Sequence, residues 1–468
     1  MVGNVIINEN LSLSQKLEIL SDAAKYDVAC TSSGVERKGD GKSMGNAAAC
    51  GICHSFAADG RCISLLKILM SNECVYDCKY CVNRSSNDVV RATFTPDEIC
   101  ELTYQFYRRN YIEGLFLSSG IVGSPNNTMQ LMYRALYKLR KEYHFNGYIH
   151  VKTIPGADRE LIDMIGFLAD RMSVNLELPT GDGLRKLAPH KNRKNILTPM
   201  RHIQNNINTG KEIIGIGSRN ERELPHSYDE TSDIYIKKQR DDYIAVRKSN
   251  DIADVKKDGR FYSPAGQSTQ MIIGATPETD YQIITIAEHL YKKYQLKRVF
   301  YSGYVPVNDD KDLPAIGTPV PMLREHRLYQ ADWLLRFYGF RASELLNEKH
   351  QQFNTAIDPK CDWAVNHLER FPMEINKVGY YDLLRIPGIG VKSAQRIVMA
   401  RRFGRLDFTD LKKIGVVLKR AVYFITCNGR MMYDTKIDTD YITRQLVYGD
   451  KDSLKIGGPV YTQMQLPL

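Results

Sequence analysis

The stretch that decides how this chain folds is Cys74-Val-Tyr-Asp-Cys78-Lys-Tyr-Cys81, in which the cysteines are separated by three residues and then by two. Thiolates this close together are typical ligands of iron–sulfur clusters or zinc, and free thiols at this density indicate a reducing compartment. Three ligands favour iron, because a four-iron cluster held here keeps one iron open. The alternative is a zinc knuckle completed by a distant cysteine or histidine, although zinc sites usually come as paired CxxC half-sites.

Outward from this cysteine loop (residues 74–81), short β-branched segments alternate with amphipathic ones. Strands are predicted at 63–70, 114–119, 148–153, 172–178, 270–274 and 299–305, and helices at 96–109, 128–143, 159–169, 194–209 and 278–294. Strands that alternate with helices of this length form βαβ units and a parallel sheet. Six units give an α/β partial barrel whose ligands bind at the carboxyl ends of the strands, and the cysteine loop follows the first strand at that edge.

The cysteine spacing, with aromatic Tyr80 before the last cysteine, resembles the cluster loop of the radical S-adenosylmethionine (SAM) enzymes, whose core is an open (βα)6 barrel. The resemblance implies that Cys74, Cys78 and Cys81 hold a [4Fe–4S] cluster whose open iron chelates the methionine moiety of SAM. One electron then splits the sulfonium and releases a 5′-deoxyadenosyl radical. Tyr80 is expected to contact the cofactor.

Further cofactor contacts are implied by the same resemblance. Ser118-Ser119-Gly120 ends the second strand, where the family usually has Gly-Gly-Glu to hold the methionine amino group, so the acidic contact is missing. Asn175 and Glu177 lie on the fourth strand, where polar side chains commonly reach the ribose or the carboxylate. The alternative is that one of them caps the strand end. Gly274 and Thr276 correspond to the adenine-contacting turn after the fifth strand.

The ten cysteines are unevenly placed, since seven of them lie between Cys30 and Cys81. Such clustering favours metal ligation over a disulfide framework. Cys30, Cys50, Cys53 and Cys62 could hold an auxiliary site, such as a second iron–sulfur cluster, with a CxxC pair at 50–53. The alternative is that they are buried packing residues.

A second motif is Leu383-Leu-Arg-Ile-Pro-Gly388-Ile-Gly390-Val-Lys-Ser-Ala-Gln-Arg-Ile397, which matches the helix-hairpin-helix pattern LxxhPGhGxxxAxxI. Its glycines allow a tight turn, and amides at a helix start favour an anion. The resemblance implies a backbone phosphate bound at Gly388, Ile389 and Gly390, flanked by Lys392 and Arg396. The alternative is a hairpin used only for packing.

Positive charge concentrates around this motif. The chain has a net charge of +10, and residues 381–430 hold eleven Lys and Arg against three acids, a balance of 11 − 3 = +8. A second basic stretch, residues 184–201, holds six Lys and Arg and no acid. Such segments attract polyanions through phosphate neutralisation, although each could also be a solvated helix face.

The 468 residues are enough for two or three domains. The predicted organisation is a cysteine-containing segment at 1–62, the barrel at 63–310 with a charged insertion at 219–260, and a helical linker at 311–378. A smaller all-α helix-hairpin-helix module at 379–430 and a tail at 431–468 complete the chain. No apolar run approaches the roughly 18 residues of a spanning helix, and the N-terminus lacks a signal segment, so a cytoplasmic protein without a membrane is expected.

Taken whole, residues from about 10 to about 430 resemble the family of DNA modification or repair radical SAM proteins. The resemblance implies DNA as the substrate, a reductant such as flavodoxin or ferredoxin, and a partner resembling uracil-DNA glycosylases. An RNA-modifying enzyme of the same type is one alternative, since a phosphate grip does not distinguish the sugar. The other is a non-enzymatic DNA-binding protein with an iron–sulfur cluster.

Overall fold

Eight strands form one sheet and follow one another across it in chain order. The structure, a computed structural model, describes residues 11–24, 31–32, 52–56, 62–213, 261–434 and 436–449. The strands are β1 (Thr31–Ser32), β2 (Ile52–Phe56), β3 (Cys62–Leu69), β4 (Gly114–Ser118), β5 (Tyr148–Lys152), β6 (Arg171–Ser173), β7 (Gln267–Ile273) and β8 (Arg298–Gly303). β1 to β3 pair antiparallel and β3 to β8 pair parallel. The predicted six-stranded parallel half-barrel is confirmed, and the antiparallel extension was not predicted.

Helices alternate with the parallel strands, and the first is α1 (Leu13–Ala23). The others are α2 (Pro96–Arg108), α3 (Pro125–Lys141), α4 (Arg159–Leu168), α5 (Gly181–Leu187), α6 (Arg193–Ile213) and α7 (Asp280–Tyr294). Local sequence explains several starts: α2 begins after Thr95, which forms a capping box with Glu98 and precedes a proline at the first helical position. Among the helices of the described residues, none is long and apolar enough to cross a membrane.

The two faces of the parallel sheet can be assigned from one side chain, because residues alternate between faces along a strand. Gln267 on β7 donates its side-chain amide to the backbone oxygens of Met200 in α6 (3.0 Å) and Tyr294 in α7 (3.1 Å), so it faces the helices. Through the strand register, the same helix-facing row also contains four apolar residues: Met172, Val151, Leu117 and Ile68. Residues one position away lie on the opposite, concave face.

The chain divides into two compact units, Met1–Thr276 with Leu290–Pro319, and Pro277–His289 with Val320–Leu468. The second unit contains α8 (Met322–Phe337), α9 (Ala342–Leu345), α10 (Pro359–Val365), α11 (Tyr380–Leu383), α12 (Val391–Ala400), α13 (Phe408–Ile414), α14 (Leu418–Ala421) and α15 (Thr439–Gly449). Two short strands, β9 (Met373–Glu374) and β10 (Ile425–Thr426), pair parallel. The expectation of an all-α module at 379–430 is not confirmed, because β10 lies inside that range and pairs with β9, which precedes it.

Candidate functional site

The cysteine loop is held in place by Arg91, whose side chain is almost fully buried (8% exposed). Its guanidinium donates to the backbone oxygens of Asn72 (2.6 Å), Asn83 (3.0 Å), Arg84 (2.7 Å) and Asn87 (2.9 Å). A guanidinium has five donors in a rigid plane and can satisfy several carbonyls at once. Arg91 therefore fixes both ends of the segment that carries the cysteines.

A second anchor comes from the segment after β8. Asn308 donates its side-chain amide to the backbone oxygens of Lys79 (2.7 Å) and Cys81 (3.0 Å), between and at the last two cysteines. Lys79 in turn forms ion pairs with Asp310 (3.2 Å) and Asp312 (2.6 Å). The end of the barrel thus clamps the loop that follows its first parallel strand.

Two thiols of the loop, those of Cys78 and Cys81, lie in a low-dielectric environment. Burial raises the pKa of Cys81 to about 12, and it also raises the pKa of Cys78, which is 5% exposed. Lys191 lowers the pKa of both thiols. Thiols in such surroundings are protonated in the free protein and lose their protons when a metal binds them.

The donor set of the loop fits a cluster better than a zinc ion. Among the described residues, no three His, Cys, Asp or Glu side chains stand together as ligands of one metal ion. A single zinc ion holds each thiolate at about 2.3 Å and so brings its ligands together. In a four-iron cluster each cysteine binds a different iron, so three thiols on one loop can lie further apart.

Behind the loop lies a buried ion pair between Lys191 and Glu177 (2.9 Å), whose side chains are 13% and 11% exposed. The Lys191 ammonium also lies 3.4 Å from the Tyr80 hydroxyl. Burial lowers the pKa of Lys191, but Glu177, Tyr80 and Cys78 raise it well above its usual value, so this lysine is charged. Lys191 was counted in the basic stretch 184–201. The structure instead places its charge beside the cysteines.

The other predicted cofactor contacts have unequal surroundings. Asn175 is buried and donates to the side chain of Gln270 (3.2 Å), and Glu177 has a left-handed φ of +65°. Gly120 packs against the loop itself, because a side chain there would meet the carbonyl oxygen of Glu73 at 2.3 Å. Asn175 and Gly120 therefore each have a structural role within the described residues. Gly274 has a φ of +87°, a backbone conformation that favours glycine.

Several buried hydroxyls at the carboxyl ends of the strands have no hydrogen-bond partner among the residues that the structure describes. They belong to Ser118 at the end of β4, to Ser119 directly after it, to Thr153 after β5 and to Thr276 after β7. Buried polar atoms without partners are uncommon in native proteins and indicate a missing polar ligand or water. The residues present therefore fit a polar cofactor at this edge. Thr153 was not predicted as a site residue, although it is the last residue of the strand predicted at 148–153.

The early cysteines are only partly described. Cys30 and Cys50, like the predicted insertion at 219–260, lie outside the described residues. Cys53 lies on β2 opposite Leu65, and Cys62 begins β3 opposite Phe56. The auxiliary site stays a prediction.

In the second unit, the turn at 386–390 joins α11 to α12. Gly388 has a left-handed φ of +81°, and a side chain there would meet the carbonyl oxygen of Val417 at 2.5 Å. Ile389 is buried, and its amide donates to the backbone oxygen of Ile386 (3.2 Å). Gly390 is the N-cap of α12 and has no side-chain cap bond. The chain's own packing thus requires Gly388, whereas Gly390 lies at the start of a ten-residue helix.

Lys392 and Arg396 are exposed on α12, one turn apart. The guanidinium of Arg396 also donates to the backbone oxygen of Ile414 (3.0 Å). Two cationic side chains therefore lie near the turn, and a phosphate bound between them stays a prediction.

A second turn repeats the first at a distance of 415 − 388 = 27 residues. Gly388-Ile-Gly-Val-Lys392-Ser-Ala394 corresponds to Gly415-Val-Val-Leu-Lys419-Arg-Ala421. Gly415 has a left-handed φ of +96°, and the amide of Val417 donates to Gly388 O (2.9 Å), so the two turns pack together. The repeat was missed because the second turn lacks the Pro-Gly-x-Gly signature, but the spacing of Gly, Lys and Ala could have revealed it.

Residues 68–231 match a family model described as the Radical SAM superfamily. No curated protein matches the chain. Similar solved structures include HydG, a maturase of the [FeFe]-hydrogenase, at 14% identity with a TM-score of 0.34, over 57% of this chain and 48% of that one. HydG from Carboxydothermus hydrogenoformans has 12% identity and a TM-score of 0.35, over 57% and 50%. The radical SAM methyltransferase TsrM from Kitasatospora setae, solved with cobalamin and a [4Fe–4S] cluster, has 10% identity and a TM-score of 0.31, over 72% and 60%.

This chain thus spans about half the length of the two HydG chains, and similarities at these scores support no inference about its activity. The matched family model identifies a radical SAM superfamily domain. The predicted enzyme class and its two cofactors, a [4Fe–4S] cluster and SAM, are confirmed at this level, and the match names no reaction.

Proposed function

We propose that this chain, through the radical SAM superfamily domain at 68–231, is an enzyme that abstracts hydrogen from a nucleotide of DNA. The observation that carries the nucleic-acid half is the pair of glycine turns in the second unit, each followed by an exposed lysine, Lys392 or Lys419. In this proposal each turn binds one backbone phosphate of the nucleic acid. Such contacts position the protein without reading bases.

In this proposal Cys74, Cys78 and Cys81 hold the cluster. Arg91 and Asn308 keep the loop in one conformation, and the ammonium of Lys191 offsets the negative charge of the thiolates. When bound, the cluster and SAM supply one-electron chemistry and a carbon radical for hydrogen abstraction. The hydroxyls of the Ser118-Ser119 pair, Thr153 and Thr276 would hold the polar parts of SAM and keep it oriented.

In this proposal the start of α12 binds the phosphate. The amides of its first turn and its positive dipole end favour an anion, and Gly390 leaves the approach open. Lys392 and Arg396 add charge that is available to solvent. The resemblance to helix-hairpin-helix modules supports this use of the turn, and the amide of Ile389, being occupied, contributes nothing to it.

The partners follow from the proposed reaction. A reductant such as flavodoxin or ferredoxin would supply the electron, and the family resemblance suggests a protein like uracil-DNA glycosylases as a further partner. DNA modification and DNA repair both remain open as outcomes of hydrogen abstraction. An RNA substrate is the second candidate, because the turns contact phosphate rather than the sugar.

The cluster assignment is tested with anaerobically reconstituted protein. Wild type should contain at least four irons and release 5′-deoxyadenosine from SAM in the presence of dithionite. The triple variant Cys74→Ala, Cys78→Ala, Cys81→Ala should lose one cluster's worth of iron and all cleavage. Cys427→Ala, which removes a buried thiol of the second unit, is the matched control and should retain both. Cleavage by the triple variant would defeat the assignment.

The substrate class is tested separately by binding. Affinities for DNA and RNA of one sequence, measured at matched salt, should favour DNA if the proposal holds. Equal or stronger binding of RNA would favour the RNA alternative. Binding of DNA without any SAM cleavage would favour the non-enzymatic alternative.

A further inference from the structure

Lys67 is a buried lysine in the middle of β3, and it is 5% exposed. Among the described residues its side chain forms neither a hydrogen bond nor an ion pair. Lysines whose side chains are this buried are nearly always paired. An unpaired one indicates that its partner is something other than this part of the chain.

The register places Lys67 on the concave face of the half-barrel. Lys67 is in register with Phe116 on β4, and Phe116 is in register with His150 on β5, whose ring it contacts edge-on at 4.6 Å. Phe116 also packs with Leu65, Ile63 and Tyr148. Lys67 therefore lies beside an apolar cluster on the concave face.

Two further polar side chains on the same face have no hydrogen-bond partner among the described residues. They are the hydroxyls of Ser118, which follows Phe116 by two positions on β4, and Ser268 on β7, which is in register with Ser173. Both are buried, at 1% and 0% exposure. His150 completes the row and bonds to the Ser173 hydroxyl (3.1 Å).

The charge of this face has one sign. Along β3 to β8, the concave positions carry Lys67, Lys152, Arg171 and Arg298 and no aspartate or glutamate. Beyond the carboxyl end of β6, Glu177 forms an ion pair with Lys191. A concave, water-poor surface with cations and hydroxyl donors selects a group rich in negative oxygen atoms.

We propose that Lys67, with Ser268 and the His150–Ser173 pair, forms an anion-binding subsite inside the barrel that holds a phosphate or carboxylate group of the substrate. The assignment rests on the proposed radical SAM enzyme and deepens it by naming a charged group that its substrate must present. The substrate is favoured over SAM because Lys67 lies within the strand, whereas the cysteine loop begins beyond its carboxyl end at Leu69.

The subsite is tested by isothermal titration calorimetry on full-length reconstituted protein, without reductant or DNA. The phosphate arm compares thymidine 5′-monophosphate with thymidine, and the carboxylate arm compares glutarate with glutaramide. Wild type should prefer the charged member of at least one pair. Lys67→Met should reduce that preference roughly 10- to 100-fold, the loss expected for one charge-assisted contact. Lys392→Met, which removes an exposed lysine of the second unit, should leave it unchanged.

Stability gives an independent readout, because Lys67→Met removes an unpaired buried charge and should raise Tm without ligand. Equal affinity of wild type for both members of each pair overturns the proposal, as does an unchanged preference in Lys67→Met. Weakening of SAM binding to the same degree would assign the anion to the cofactor and also overturn it. If Lys67→Met does not fold, Lys67→Gln replaces it. Since the assay contains neither reductant nor DNA, its failure leaves the proposed enzymatic activity standing.

Discussion

The two basic stretches of this chain look alike in sequence and differ in structure. In residues 184–201 three of the six cations form ion pairs: Lys186 with Asp312 (3.1 Å), Lys191 with Glu177 (2.9 Å), and Arg185 with Asp182. In residues 381–430, eight Lys and Arg side chains are exposed and have no carboxylate partner among the described residues: Lys392, Arg396, Arg402, Arg405, Lys412, Lys413, Lys419 and Arg430. The net charge of a segment therefore does not measure how many of its cations are available to a ligand.

The positions of nearby acids explain the difference. The acids that pair with 184–201 belong to the first unit: Glu177 follows β6, Asp182 lies in the first turn of α5, and Asp312 lies beyond β8. In 381–430, Arg385 and Arg420 alone have such partners among the described residues, Glu344 (2.9 Å) and Asp358 (3.1 Å). The first stretch therefore serves the architecture around the cysteines, and the second is free to meet a polyanion.

The largest effect expected from this comparison is at Lys191. Lys191→Met should lower the free energy of unfolding by about 3–5 kcal/mol, because it removes the cationic partner of the buried carboxylate of Glu177. Lys186→Met, at an exposed position of the same stretch, should change it little. Chemical denaturation of the metal-free protein measures both. Adding Glu177→Gln to Lys191→Met should restore much of the loss, and a double variant as unstable as the single one would contradict the pairing.

A smaller effect is expected on DNA affinity. Lys392→Ala with Lys419→Ala should lower the slope of log affinity against log salt by roughly two, one for each phosphate neutralisation lost. Arg185→Ala with Lys186→Ala should leave the slope nearly unchanged, since those cations are already paired. Fluorescence anisotropy over a salt series checks both. Equal slopes for the two double variants would mean that the stretches do not differ.

Gly388→Val is a poor test of the same turn, because the new side chain would strike the backbone of Val417 and disturb folding. Gly390→Val is the better test because a side chain at this position does not strike the backbone. Its Cβ would lie 3.4 Å from the Tyr338 hydroxyl, which is its nearest neighbour.

The smallest effect concerns Lys360, which shows that burial also governs single cations of the second unit. Its ammonium donates to the backbone oxygen of Ile389 (2.6 Å), and burial lowers the pKa of Lys360 to about 7. Between that value and the ordinary 10.5 of an unfolded lysine, the unfolded chain binds more protons than the folded one, so stability rises with pH.

Across this window, the unfolding free energy of wild type relative to Lys360→Met should increase by at most about 1.4 kcal/mol per pH unit. Lys412→Met, at an exposed position of α13, is the control and should show no such trend. Denaturation at pH 7.5 and 9.5 measures the difference. A difference that stays constant or falls with pH would contradict a buried amine at this position.

Much of the barrel could be predicted from sequence because β-branched runs and amphipathic periods are local signals. β6 is the exception: it was predicted at 172–178 but ends at Ser173, since the chain turns irregular before Glu177, whose φ is +65°. The ladder of β9 and β10 could not be predicted, because two-residue strands leave no periodic pattern and their partners lie 425 − 373 = 52 residues apart.

The candidate site divides in the same way. The three cysteines and the first glycine turn could be identified from sequence, because each forms a motif defined by the spacing of its residues along the chain. The anchors Arg91 and Asn308 were not, because a side chain that binds carbonyls of a distant loop carries no local signature. Lys191 was misread as surface charge for the same reason, since its burial depends on Glu177 and on packing that sequence does not display.

The central claim is that the radical of this enzyme takes hydrogen from DNA, and one measurement tests it most directly. Reconstituted protein is incubated with SAM, dithionite and uniformly deuterated duplex DNA, and the released 5′-deoxyadenosine is examined by mass spectrometry. The account predicts deuterium in 5′-deoxyadenosine, absent when the DNA is unlabelled and reduced in Lys392→Ala, Lys419→Ala. Cleavage of SAM that continues with no transfer of deuterium from the DNA would contradict it.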